Sequence, residues 1–105
     1  MEPPVSAKAA LLQALIAGES FGLELIDRVK ERTDGKVNLG QGSVYPALRD
    51  LEREGLVKSH EGPPMPERGG RPRRYYKITA EGRKAAFEDR RIMGALAAFS
   101  PVKAT

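Results

Sequence analysis

A chain of 105 residues with no cysteine and one histidine excludes disulfides, a thiol nucleophile and a histidine-cluster metal site. At that length it makes one domain, with a core thin enough to gain from a partner subunit. Its 40% apolar and 30% charged residues suit a folded domain, and its net charge of +4 and pI near 9.6 point to an acidic partner. No apolar run approaches the roughly 20 residues of a membrane span. The Met-Glu-Pro-Pro start lacks the basic, then apolar, pattern of a signal peptide, so a cytoplasmic location is expected. The charge is lopsided. Residues 1–52 hold six basic and eight acidic side chains and residues 53–105 hold twelve and six, giving halves of −2 and +6.

In chain order, residues 5–17 predict a first helix, with Val5, Ala9, Leu12 and Ile16 on one stripe and Leu11 and Leu15 beside it. That arc is wide enough to touch both its own core and a neighbour, and Gly18 ends the helix. Phe21 to Arg32 predict a second helix, with Leu25, Ile26 and Val29 inward and Glu24, Asp27, Arg28 and Glu31 largely outward. Thr33-Asp34-Gly35 closes it by turn chemistry. A third helix starts between Gln41 and Ser43 and runs to Glu54, where Val44, Leu48 and Leu51 form a core stripe. Tyr45, Arg49 and Arg53 recur every fourth residue on its other side. With Ser43 as N-cap, Pro46 falls among the amides that have no helical partner; with an earlier start, Pro46 bends the helix.

Leu56 and Val57 begin a strand, and Arg73 to Ile78 supply its hairpin partner. Between them residues 62–72, with four prolines and three glycines, exclude helix and strand and make a long loop. From Arg68 to Lys77 there are five bases and no acid. Thr79 caps a last helix reaching about Phe99, which Ser100-Pro101 ends. The predicted fold is therefore mainly α with a small β-hairpin: a winged helix-turn-helix followed by a C-terminal dimerisation helix. Residues 1–78 make the DNA-binding domain, and residues 79–105 the dimerisation helix and tail, in one compact unit.

Duplex recognition fits these parts. A helix with one apolar and one polar face can lie in the major groove, and short polar residues at its start reach base edges or phosphates. Residues 43–54 hold two bases and three acids, so this helix has little electrostatic pull of its own. Phosphate affinity is assigned to Arg68, Arg71, Arg73 and Arg74 in the wing, and base discrimination to Gln41, Ser43 and Arg49. Tyr75 and Tyr76 alternate across a strand, so one belongs to the core and only the other can face DNA. His60 reads as a surface residue and Met65 as an exposed loop methionine. Gly69-Gly70 is no phosphate-binding loop, because no helix follows it.

On the last helix Ala85, Ile92, Leu96 and Phe99 share one side while Phe87 points almost the opposite way. Two apolar sides need two neighbours: the chain's own domain and a second copy of the chain, with Leu11 or Leu15 contributing to the contact with that copy. A two-fold homodimer implies a pseudo-palindromic site. The alternative is a winged-helix protein-interaction module or scaffold without specific DNA binding. No paired His–carboxylate, thiol or metal cluster is visible, so neither an enzyme nor a cofactor is expected.

The letters are more specific than the plan. Gly42-Ser-Val-Tyr-Pro-Ala-Leu-Arg-Asp-Leu-Glu-Arg-Glu-Gly-Leu-Val57 resembles the third helix of PadR-family transcriptional regulators, and Tyr75-Tyr-Lys-Ile-Thr-Ala-Glu-Gly82 is similar to that family's second signature. The resemblance covers about Leu11 to Phe99. It implies a dimeric, cytoplasmic, usually bacterial repressor, similar to the small subclass with a single C-terminal helix. It puts Gly42, Ser43, Tyr45 and Pro46 at the DNA-facing start of the recognition helix. A small aromatic or hydrophobic effector, where one acts, would favour a dimer geometry whose recognition helices miss successive major grooves. The chain departs from the family in three places. Phe21-Gly-Leu-Glu24 replaces the usual H-G-Y-E, and Gly40-Gln-Gly42 replaces S-P-G. The chain also has no tryptophan, so the stacking sandwich some small members build at the dimer interface does not carry over.

Overall fold

The structure, a computed structural model, describes residues 5–102. The Met1–Pro4 start and the tail from residue 103, which the expected domains include, lie outside the described residues. Four helices, α1 (Ala7–Ile16), α2 (Gly22–Arg32), α3 (Gln41–Arg53) and α4 (Ala80–Ala97), carry three short strands, β1 (Ser20–Phe21), β2 (Val57–Glu61) and β3 (Arg74–Ile78). The expected hairpin is present, with Val57 opposite Ile78 and Glu61 opposite Arg74. It is one strand short of the observed sheet, because β1 adds to β3 through Ser20–Tyr76 and Phe21–Tyr75, giving the antiparallel order β1-β3-β2. Two residues are too few to leave an alternation in the sequence. The Pro/Gly loop also contains one 3-10 turn, Pro66–Arg68, ended by Gly69 at φ 67°. Proline is at home in a first helical turn, so residues 62–72 exclude less than their composition suggests.

The core is built around α1. Ser6 caps that helix by accepting from the Ala9 amide at 3.1 Å. Past its other end, Arg28 of α2 donates to the carbonyls of Ala14 (3.0 Å) and Gly18 (2.9 Å), a cation at a helix C-terminus. Leu11, Leu15, Leu25, Val44, Leu48, Leu51 and Val57 are all no more than 1% exposed. Burial of each such side chain stabilises the fold by roughly 1.5–3 kcal/mol. Leu11 and Leu15, expected to serve a partner subunit, are therefore interior residues of the protomer: they sit in the core with α2, α3 and the sheet, where a second chain cannot reach.

The third helix takes the earlier start: Gly40 is its N-cap, with no side-chain cap, and Pro46 lies inside it. Lacking an N–H, Pro46 leaves the Gly42 carbonyl without its donor four residues on. The last helix is tied down only along its first half. Thr79 accepts from the Gly82 amide (3.0 Å) and donates to the Gly55 carbonyl (2.7 Å). Ala86 is fully buried, and Gln13 of α1 reaches its carbonyl at 2.8 Å while accepting from Arg90 at 2.7 Å. From Arg90 onward every described residue is exposed. The helix thus projects, stretching the molecule to 65 × 28 × 20 Å with a radius of gyration of 16.0 Å. A compact domain of this length would have about 13 Å.

Candidate nucleic-acid interface

Two surfaces collect the residues that chemistry singled out. On α3 the buried stripe is Val44, Ala47, Leu48 and Leu51, which leaves Gln41, Gly42, Ser43, Pro46 and Arg49 exposed. Arg53 is neutralised by Asp50 at 3.3 Å, whereas Arg49 makes no ion pair among the described residues. Tyr45 is 39% exposed, and its ring also packs where α2 begins: a Cβ on Gly22 would lie 2.8 Å from the phenol oxygen. The tyrosine therefore both faces outward and holds α3 against α2, a role that needs the glycine of Phe21-Gly22.

The second surface is the wing, the loop between β2 and β3 with its flanking residues. Of the five bases from Arg68 to Lys77 only Arg74 is ion-paired among the described residues, to Glu61 at 3.4 Å, and it also donates to Ser59 at 3.0 Å. Arg71 bonds the Arg68 carbonyl through Nε at 3.0 Å and is otherwise exposed. Arg73 lies with its guanidinium carbon 4.3 Å from the centroid of the Phe21 ring, and its Nε is buried without a hydrogen-bond partner. Lys77 and Lys58 face each other across β3 and β2, both exposed. Among the described residues three of the four wing arginines thus keep a charge that no acid neutralises, and Arg73 and Arg74 are held by contacts within the protomer.

The two tyrosines divide as alternation requires. Tyr76 is 7% exposed in the core, where burial pushes its phenol above the ordinary value. Tyr75 lies half-buried on the outer face of the sheet, edge-on to Phe21 at 5.7 Å and stacked on His60 at 5.7 Å with planes 17° apart. His60 Nε2 lies 2.5 Å from a Glu19 carboxylate oxygen, and its Nδ1 lies 3.3 Å from the Glu61 carbonyl. The Glu19 hydrogen bond, with a smaller contribution from the Glu61 carbonyl, raises the His60 pKa above its ordinary 6.5. A histidine with a raised folded-state pKa contributes stability that is fully present below the unfolded value and lost as pH rises through the folded one. Melting temperature should therefore fall slightly as pH rises above the ordinary histidine value of 6.5, and Glu19→Gln should flatten that profile; equal profiles would deny the pair any part in stability. Glu19, Phe21 and Gly22, which hold the wing and α3 in place, carry no such mark in the sequence, because their partners lie 23 to 54 positions away.

Three helices, an antiparallel sheet and a basic wing define a winged helix-turn-helix protein. The chain belongs to the Transcriptional regulator PadR-like family, whose pattern it matches over residues 11–88. It is 43% identical over 56 residues to the transcriptional regulator Rv3488 of Mycobacterium tuberculosis, a match spanning 53% of this chain and 49%, about half, of that relative. A transcriptional regulator from Clostridium thermocellum has a similar structure, with a TM-score of 0.73 and 28% identity over 85% of this chain and 83% of that one. Bacillus subtilis PadR, solved in complex with operator DNA, shares the fold, with a TM-score of 0.70 and 21% identity over 99% of this chain and 52% of that one. The family and these relatives are transcriptional regulators, and among the described residues no helix is long and apolar enough to cross a membrane.

Proposed function

We propose that this chain is a sequence-specific DNA-binding repressor that acts in the cytoplasm as a homodimer on a pseudo-palindromic promoter site. The observation that carries the reading is the charge left over in the wing, where Arg68, Arg71, Arg73 and Lys77 have no acidic partner among the described residues. Cations that the fold does not neutralise are the footprint of a phosphate backbone. Residues 1–78 form the DNA-binding part. The exposed side of α3 offers Gln41, Gly42, Ser43, Tyr45, Pro46 and Arg49 to a major groove, and PadR bound to operator DNA has this same fold. Phosphate contact falls chiefly to Arg68 and Arg71, since Arg73 and Arg74 are engaged by Phe21 and Glu61.

Residues 79–105 serve dimerisation. Ile92, Leu96 and Phe99 are 45%, 53% and 80% exposed on one side of α4 and its end, an apolar strip that a lone chain leaves in water. Beside it runs an open groove of about 1270 Å³ between α1, the end of α2 and α4, with Ala10, Ala14, Val29, Ile92 and Met93 among its lining residues. A small aromatic or hydrophobic effector seated in such a groove would change how two α4 helices sit, and with them the spacing of two α3 helices.

Titrating duplexes at several salt concentrations tests the proposal. Affinity should fall with a slope of about 0.9 logarithmic units per phosphate neutralised. Arg68→Ala with Arg71→Ala should weaken every duplex alike and reduce that slope by about two such steps per protomer, about four for the bound dimer. Ser43→Ala or Gln41→Ala should instead cost about 1 kcal/mol of preference for the cognate site. Undetectable or salt-independent binding to any duplex overturns the reading.

A further inference from the structure

The ring of Phe21 does nothing for the helix it precedes. Phe21 is the N-cap of α2, extended at φ −105° and ψ 163°, with no side-chain cap bond. Ser, Thr, Asp or Asn would satisfy an orphan amide there. The phenyl ring instead faces the outer side of the sheet, where the wing meets it twice: the Arg73 guanidinium lies over it at 4.3 Å and the Tyr75 ring stands against it at 5.7 Å and 80°. Tyr75 continues the contact to His60 on β2, and His60 returns it to Glu19, two residues before Phe21. One line of side chains therefore crosses all three strands and closes on itself.

The base of the wing is fitted to the same ring system. The Gly62 amide donates to the Arg73 carbonyl at 2.8 Å, extending the ladder one pair past Glu61–Arg74. A Cβ at Gly62 would stand 2.5 Å from Cε2 of Tyr75, so the tyrosine ring lies directly over the loop's root. An isolated two-stranded hairpin holds its shape poorly, and side-chain pairs across a sheet supply the missing stiffness.

We propose that Phe21 is a positioning residue for the wing. Its ring, gripped by Arg73 and Tyr75, fixes the direction in which Arg68 and Arg71 project relative to α2 and α3, without itself touching nucleic acid. By this reading Arg73 is a strut, and the arginines beyond it are the ones that reach phosphate. The inference rests on the DNA reading above for its consequence, and on the sheet alone for its mechanics.

Two measurements test it on the full chain. In the DNA-free protein, Phe21→Ala should speed amide hydrogen exchange at Gly62 by about tenfold or more relative to amides of α3, and Phe21→Tyr should restore protection. Unchanged Gly62 exchange overturns the brace. With duplex, Phe21→Ala should weaken binding about tenfold and lower the salt slope towards that of the Arg68→Ala/Arg71→Ala variant. Added to that double variant it should have almost no further effect, since no wing arginine remains to be aimed. A loss that persists in full in that background means Phe21 acts through general stability, and the proposal fails. A wild-type chain that binds no duplex would sink the proposed function instead, leaving the exchange result to decide the brace alone.

Discussion

Replacing Leu96 and Phe99 together by glutamate is expected to give a folded monomer that has lost operator binding. Leu96 and Phe99 are 53% and 80% exposed, and the last fully buried residue of α4 is Ala86, ten positions before Leu96. Charges at the far end of the helix therefore leave the protomer's own core intact, and the melting transition should stay cooperative. In a dimer the same two positions would bring four carboxylates into an apolar seam, where an unpaired charge is costly. Sedimentation should show twice the 11.5 kDa chain mass for the wild type and a single mass for the variant. Binding to a two-half-site duplex should drop by about 100-fold or more, because a tethered second half-site multiplies affinity by 10²–10⁴ without any new contact. Binding to a single half-site should barely change. A variant that remains dimeric, or a monomer that keeps full operator affinity, would rule out this strip as the functional interface.

The exposed end of α4 shows in its sequence but its docked side does not. Phe87, expected to face one of two neighbours, is 50% exposed, and Ala85, grouped with Ile92, Leu96 and Phe99, packs against the core. The last helix carries all its charges before Ile92 and then runs uncharged to Phe99, so its exposed apolar end stands out as letters. The first helix, with the sequence AKAALLQALI, is apolar nearly all round. Such a helix belongs in an interior, but its sequence does not say which leucine faces which neighbour. Leu11 and Leu15 went to the protomer's core, and the side carrying Ala9, Ala10 and Gln13 lines the groove beside α4. The third helix is legible for the opposite reason. Val44, Leu48 and Leu51 fix its buried side, and Gln41, Ser43 and Arg49 follow as what remains.

The wing shows the other limit. Its five bases are plain in the sequence, yet which of them stay available depends on cross-strand pairing. Arg74 lies opposite Glu61 only because the register puts it there. Arg73 meets Phe21 only because a two-residue strand, too short to announce itself, joins the sheet. Composition counts charges, and pairing decides their use.

The family's second signature also gains a physical reason, which the largest stability effect can test. Thr79 and Gly82, the threonine and glycine of Tyr75-Tyr-Lys-Ile-Thr-Ala-Glu-Gly82, stand at the N-cap and third residue of α4. The Thr79 amide bonds the Leu56 carbonyl at 3.0 Å and its hydroxyl donates to the Gly55 carbonyl at 2.7 Å, so the start of α4 is held against the chain entering β2. That closeness leaves no room for a side chain: a Cβ on Gly82 would lie 2.0 Å from the Leu56 carbonyl oxygen and 2.7 Å from Ile78 Cγ1. Backbone faces backbone here, so the clash cannot be relieved by a rotamer change. Gly82→Ala must push the helix away, weakening both Thr79 bonds at about 1 kcal/mol each and loosening the contact of Ala86 with the core. A loss of about 3 kcal/mol is expected, lowering the melting temperature by roughly 15 °C. The same helix supplies its own control in Gly94, where a Cβ meets nothing within 4 Å. There Gly94→Ala should stabilise by about 0.5–1 kcal/mol through helix propensity alone. Two identical substitutions twelve residues apart should thus move the melting temperature in opposite directions. If Gly82→Ala melts within about 2 °C of the wild type, α4 does not dock on Leu56 as closely as the geometry requires.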